Sequence, residues 1–236
     1  MDGVLTDTRR LHQRAWAGVF ESLLCATGSG GFTESDYIQF VDGRGRLDGI
    51  RTFLHSRGLP LREGTPADQA GLDSVHAVAA EKNRQYLALL EEEGVWTYPD
   101  VAPALDKWRR HGWRLGVLSG SRNANAVLEA AGLRDVFDAV VDGTDLDERH
   151  LPGKPAPEGA LLLLERLGTS PDNAILCEDA AAGIAAGRAA GIGLLVGVVR
   201  GDEISSTSRA LALRREGAHL VVNTLGEVPT PPPETT

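Results

Sequence analysis

The chain has 236 residues, a formal net charge of -9, 42% hydrophobic and 24% charged residues. That is enough to bury a substantial core, and an acidic chain with no Lys/Arg run is a poor fit to a nucleic-acid partner. Cys25 and Cys177 are too few and too far apart for a disulfide framework or a zinc site, no apolar run approaches the ~20 residues of a membrane span, and no leader pattern stands at Met1. The expectation is a cytoplasmic protein without membrane or nucleic-acid partner, acting as a monomer.

In chain order, Met1 to Thr8 reads Met-Asp-Gly-Val-Leu-Thr-Asp-Thr, a tight turn on Asp-Gly that leads from a strand into a helix. From Arg9 to Gly94 the pattern is helical. Leu11, Ala15, Val19 and Leu23 recur at intervals of four, Ile50, Phe53 and Leu54 form a second apolar face, and Val75 to Glu93 predicts a long helix with Tyr86, Leu87 and Leu90 on its buried side. Glycine-rich breaks at Gly28 to Gly31 and Gly58 to Gly71 punctuate this half, which is expected to be all-helical.

After Gly94 short apolar runs alternate with helical stretches. The runs are Arg114 to Leu118, Phe137 to Val141, Ala174 to Cys177, Gly193 to Val199 and His219 to Val222. Strands alternating with helices predict an α/β fold with a doubly wound, mainly parallel sheet, whose ligands bind at the carboxyl ends of the strands. Glu227 to Thr236 carries four prolines in ten residues and no apolar periodicity, and is expected to be a disordered tail.

Chemistry gathers at the strand ends. Glu178 and Asp179 follow one strand directly; two adjacent carboxylates suit a shared Mg²⁺, while a helix N-cap needs only one acid. Ser119-Gly120-Ser121-Arg122-Asn123 follows another, where Ser121 or Asn123 is placed to cap the next helix and the remaining donors form an anion cradle. Lys154 is one of only three lysines in a chain that otherwise uses arginine. It lies between Gly153 and Pro155, restricted so as to aim its ammonium at a phosphoryl oxygen or a carboxylate. An acid pair, an anion cradle and a fixed cation are parts that phosphoryl transfer needs.

These stretches, Asp-Gly-Val-Leu-Thr-Asp-Thr, Leu-Ser-Gly-Ser-Arg-Asn, Gly-Lys-Pro-Ala-Pro-Glu and Cys-Glu-Asp-Ala-Ala-Ala-Gly, resemble in order the four motifs of the haloacid-dehalogenase superfamily. The β-phosphoglucomutase-like subgroup is the most similar, on Leu11 to Trp16, Asp42 to Arg46 and Lys82-Asn83. The resemblance implies an α/β core over 1–10 and 95–226 and an inserted helical cap over 11–94. It also implies these roles: Asp2 as acid/base and, through its carbonyl, a Mg²⁺ ligand with Glu178 and Asp179; Ser119 and Lys154 on the transferring phosphoryl group. His12, Gly43, Arg46 and Lys82 in the cap and Ser121, Arg122 and Asn123 in the core would bind substrate. Read from its helical face alone, Trp16 is core packing rather than a substrate platform.

One departure stands out. The superfamily's first motif is Asp-x-Asp-Gly, with the first Asp as nucleophile. Met1 occupies the x position, so that Asp and the strand carrying it are expected upstream of Met1. The function implied is Mg²⁺-dependent conversion of β-glucose 1-phosphate to glucose 6-phosphate through a bisphosphate and an aspartyl-phosphate enzyme. A sugar-phosphate phosphatase is the alternative, and a non-catalytic sugar-phosphate binder is the third.

Overall fold

The computed structural model describes residues 1–28, 30–41, 45–201 and 203–229. The chain forms two compact units, one of Met1–Asp7 with Val95–Thr236 and one of Thr8–Gly94. Asp42, Gly43 and Arg44 lie outside the described residues, as does 230–236 of the tail. No helix among the described residues is long and apolar enough to cross a membrane.

The Thr8–Gly94 unit contains α1 (Arg9–Thr27), a short α2 (Glu34–Asp36) running into a π turn (Tyr37–Val41), α3 (Arg46–Ser56) and α4 (Val75–Glu93). Each boundary has a local cause. Gly28, at φ 68°, ends α1 in the left-handed conformation. Thr33 and Asp36 make a reciprocal capping box on α2. Ser74 Oγ accepts the Ala77 N–H at 3.0 Å to start α4. The interval-four residues of α1 are buried, and Phe20 packs on Phe53 with ring centroids 4.0 Å apart. Trp16 belongs to this core, as expected. Leu87 does not join it: it is 36% exposed, because Tyr86 and Leu90 already fill the inward face of α4.

In the larger unit, β1 (Thr6–Asp7) pairs antiparallel with β2 (Trp96–Thr97). There follow α5 (Val101–Arg110), β3 (Gly116–Leu118), α6 (Ala124–Ala130), β4 (Ala139–Val141), α7 (Gly143–Glu148), α8 (Glu158–Leu167), β5 (Ile175–Glu178), α9 (Ala181–Ala189), β6 (Leu194–Val198), α10 (Glu203–Glu216) and β7 (Leu220–Val222). All pairings among β3 to β7 are parallel, in two pieces: β3-β4, and β5-β6-β7. Between the pieces lies a cavity of about 870 Å³ lined by Val117 and Leu118 on one side, Leu176 and Cys177 on the other, and Met1.

The small residues of α9 have a packing reason. A Cβ at Gly187 would lie 2.4 Å from the Leu176 side chain, so the helix rests on β5 at a distance larger residues forbid. The tail begins later than its composition suggests. Thr224 and Glu227 form a capping box over the 3₁₀ turn Leu225–Glu227, and Val228 is 2% exposed in the core. Arg200 ties the unit together by donating to Asp100 Oδ1 at 2.7 Å, Asn223 O at 3.0 Å and Val4 O at 2.8 Å, while stacking 4.2 Å above the Tyr98 ring.

Candidate active site

The N-terminal residues fold back on themselves. The Met1 carbonyl accepts from Leu5 N at 2.8 Å and Val4 N at 3.2 Å, and Gly3 N donates to Thr6 O at 2.8 Å. Gly3 holds φ 70°, and a Cβ there would lie 2.0 Å from Asp179 Oδ2. Only glycine lets this loop lie against the Asp179 carboxylate. Within the loop, Thr6 Oγ1 donates to Asp2 Oδ1 at 3.1 Å, so one oxygen of the expected acid/base is held.

At the carboxyl end of β5, Glu178 is 5% exposed and Lys154 Nζ donates to its Oε2 at 2.5 Å. Its Oε1 accepts from Asp179 N at 3.2 Å and Ala180 N at 3.1 Å. Neither acid takes the helix-start role: Ala180 holds the cap of α9 without a side-chain capping bond, and Glu178 Oε1 serves the N–H groups just before the helix. Gly183 admits the arrangement, since a Cβ there would lie 2.2 Å from Glu178 Cδ. Burial pushes the Glu178 pKa up, but Lys154 first, then the N-terminal ammonium and the Asp179 hydrogen bond, together more than offset that and hold it low. Asp179 moves the other way, raised by burial and then by the Glu178 charge beside it. Two carboxylates here resist being charged together unless a cation joins them. Cys177 just before them is pushed up to about 12 by burial and is no nucleophile.

At the end of β3, Ser119 is 7% exposed; its N–H donates to Val141 O at 2.9 Å and its Oγ accepts from Ser121 N at 3.1 Å. Ser121 Oγ in turn accepts from Asn123 N at 3.2 Å. The expectation that Ser121 or Asn123 caps α6 is not met: Asn123 holds the cap position without a side-chain capping bond. Two N–H groups of the expected anion cradle are turned to these serine oxygens. Arg122 reaches Asp147, Nε to Oδ2 at 2.7 Å, an exposed pair.

In the Thr8–Gly94 unit, His12 and Lys82 meet directly, Nδ1 to Nζ at 2.7 Å, and Lys82 is 2% exposed. Burial first, then the charges of Lys82 and Arg46, lower the His12 pKa to about 3. Arg46 opens α3, half-buried. Gly43 lies outside the described residues. Thr6, which holds Asp2, and Tyr86, against which His12 stacks, were not singled out by motif. Tyr86 had a signal in its four-residue spacing from Lys82.

Among the described residues no group of three or more His, Cys, Asp or Glu is arranged for a metal ion. The donors that are present still suit a hard divalent cation: all are oxygens, and the resistance of Glu178 and Asp179 to joint ionisation is what such an ion relieves.

A model of the haloacid dehalogenase-like hydrolases matches residues 1–191. A beta-phosphoglucomutase of Mycobacterium bovis is 36% identical over 235 residues, covering 97% of this chain and 88% of the relative. A phosphorylated carbohydrates phosphatase of Thermotoga maritima is 33% identical over 210 residues, covering 84% and 82%. The crystal structure of a beta-phosphoglucomutase from Clostridium difficile superposes with a TM-score of 0.68 at 26% identity, over 97% of this chain and 90% of that one. The chain belongs to the haloacid dehalogenase-like hydrolases, in the β-phosphoglucomutase-like subgroup.

Proposed function

We propose that this protein is a Mg²⁺-dependent hexose-phosphate mutase converting β-glucose 1-phosphate to glucose 6-phosphate. The observation that carries the reading is the buried group at the end of β5, Lys154 on Glu178 with Asp179 against the Gly3 turn. It concentrates opposed charge beside the loop that bears Asp2. The 36% identity to a beta-phosphoglucomutase supports the choice of substrate.

Asp179, Glu178 and the Asp2 carbonyl would hold Mg²⁺, which neutralises phosphoryl oxygens. Lys154 supplies a second positive charge, and Ser119 a hydroxyl to orient the group. Asp2, with Oδ1 held by Thr6, keeps its other oxygen for proton exchange with the sugar hydroxyl. The nucleophilic Asp of the family's first motif aligns one residue before Met1, and the test below supplies it. On this reading Ser121, Arg122 and Asn123 recognise the substrate, and likewise His12, Gly43, Arg46 and Lys82.

The test uses the chain extended upstream by an apolar strand ending in Asp, with Mg²⁺ and a bisphosphate primer. Formation of glucose 6-phosphate from β-glucose 1-phosphate is the expected result. Release of inorganic phosphate without glucose 6-phosphate rejects the mutase and supports a sugar-phosphate phosphatase, the second reading, which the 33% identical carbohydrate phosphatase favours. The non-catalytic binder, a relic without the nucleophile, predicts sugar-phosphate binding without turnover in native cell extract, and activity in the purified native form excludes it.

A further inference from the structure

The aromatic wall behind His12 has no part in the mechanism above. α1 presents His12 and Trp16 four residues apart, and α4 presents Lys82 and Tyr86 at the same spacing, so each pair shares one helix face. The two faces meet. The His12 ring lies on the Tyr86 ring with centroids 4.3 Å apart and planes 15° from parallel. Lys82 Nζ, 2.7 Å from His12 Nδ1, also sits 4.7 Å from the Tyr86 centroid and 5.2 Å from that of Trp16. Lys82, Tyr86 and Trp16 are 2%, 1% and 5% exposed.

Two proton arrangements fit that short contact. A neutral amine would accept from Nδ1–H; an ammonium, which has only donors, requires Nδ1 to be bare and the ring proton to sit on Nε2. Burial alone favours the neutral amine. Two π faces favour the ammonium, because each ring presents negative charge to it, the more effectively in a desolvated site.

We infer that Tyr86 and Trp16 are positioning residues that keep Lys82 an ammonium, and that Lys82 thereby locks His12 in the Nε2–H tautomer as a fixed hydrogen-bond donor. The group His12 then recognises is an oxygen acceptor, a phosphoryl, carboxylate or hydroxyl lone pair, and not a donor. The depressed His12 pKa agrees: the ring stays neutral, so its one proton is always on the same atom. That the acceptor belongs to a sugar phosphate rests on the function proposed above; the tautomer does not.

The test is long-range ¹H–¹⁵N correlation on the full chain labelled at histidine nitrogens, with His12→Gln assigning the signal among six histidines. The wild type is expected to show a single Nε2–H form that does not titrate between about pH 5 and 8. Tyr86→Phe retains a π face and should give the same spectrum. Tyr86→Leu and Lys82→Met, checked as folded by their dispersed amide signals, should bring in the Nδ1–H form and move the titration from about 3 toward 6.5. A wild-type His12 in the Nδ1–H form overturns the inference, as does a folded Lys82→Met protein with the wild-type His12 spectrum. A wild-type spectrum in folded Tyr86→Leu overturns the aromatic part. None of these spectra needs turnover, so failure of the upstream-extended chain to form glucose 6-phosphate rejects the mutase while a locked His12 still sustains the lock.

Discussion

Replacing Lys154 with Met removes the cation from a carboxylate that has almost no access to water. The Glu178 side chain is 6% exposed and that of Lys154 22%, so solvent does little to substitute for the lost ammonium. Breaking a buried pair by removing one partner costs about 3–5 kcal/mol. Glu178 keeps its bonds from the Asp179 and Ala180 N–H groups, which places Lys154→Met near the lower end, ~3 kcal/mol. For a domain of this size that is a fall in Tm of roughly 6–12 °C at pH 7. The sign with pH is fixed by linkage. In the wild type the Glu178 pKa is depressed, so its contribution is present above its unfolded pKa of about 4.5 and is lost only as pH falls through the folded value near 2. Without Lys154, burial dominates and raises that pKa, so the variant's deficit is largest at neutral pH and narrows as Glu178 takes up a proton. Urea unfolding of both proteins without added metal, from pH 7 down to about 4, checks this. A deficit that stays constant, or widens, as pH falls refutes the assignment of Lys154 as the charge partner of Glu178.

Gly183→Ala drives a Cβ into the Glu178 carboxylate, and should cost about 1–3 kcal/mol of stability and at least ~10-fold in kcat. Gly28→Ala, where nothing lies within 4 Å but φ is positive, should cost only ~1–2 kcal/mol and leave kcat unchanged; equal kcat losses in the two would contradict the close-packing account. Arg200→Met strips Asp100, whose pKa it holds down, of its cation, and urea unfolding should show a loss of ~2–4 kcal/mol that narrows below the carboxylate range. Extending the chain upstream of Met1 by an apolar strand should fill the cavity between β3 and β5. Amide exchange at Gly116–Leu118 and Ile175–Glu178 is then expected to slow on the order of 10-fold or more; unchanged exchange at both strands would show that the extension lies elsewhere.

The long helices were legible because periodicity and punctuation coincide. Val75–Glu93 forms over the range its pattern predicts, between a Ser cap and a terminal Gly. Four of the five expected parallel strands proved shorter than their runs, the fifth is Ile175–Glu178 rather than Ala174 to Cys177, and Trp96–Thr97 was missed. The run from Arg114 pairs regularly only from Gly116, because the Asp138 carboxylate takes the Leu115 N–H at 2.7 Å. That competition depends on a residue 23 positions away, and no local propensity encodes it. At the other end of the chain, the capping box of Thr224-Leu-Gly-Glu227 reaches into Glu227, the first residue of the stretch whose prolines argue for disorder. There a short-range signal was present and outweighed by composition.

For the site, the residue types at the strand ends pointed to the chemistry, but the choice of partner for each charge was not encoded locally. Arg122 turns to Asp147, about one helical turn beyond the Gly143 helix start, and Lys154 turns to Glu178. Spacing places a cation near several acids; which one it meets depends on loop paths that only packing decides. The four-residue steps from His12 to Trp16 and from Lys82 to Tyr86 were readable on each helix. Their convergence was not, since it requires the register of α1 against α4.

The reach of Arg200 bears on how the protein is made. It grips Val4 from 196 positions away, so a ribosome has delivered nearly all of the chain before the first loop acquires that clasp. Contacts this distant form late, and a segment awaiting them is open to proteases and chaperones. The Thr8–Gly94 unit holds its own aromatic core and its His12–Lys82 pair, and can settle while synthesis continues. The nascent protein would then pass through a stage with a finished helical unit and an unfinished acid cluster, so phosphate chemistry switches on only with the last elements of the chain.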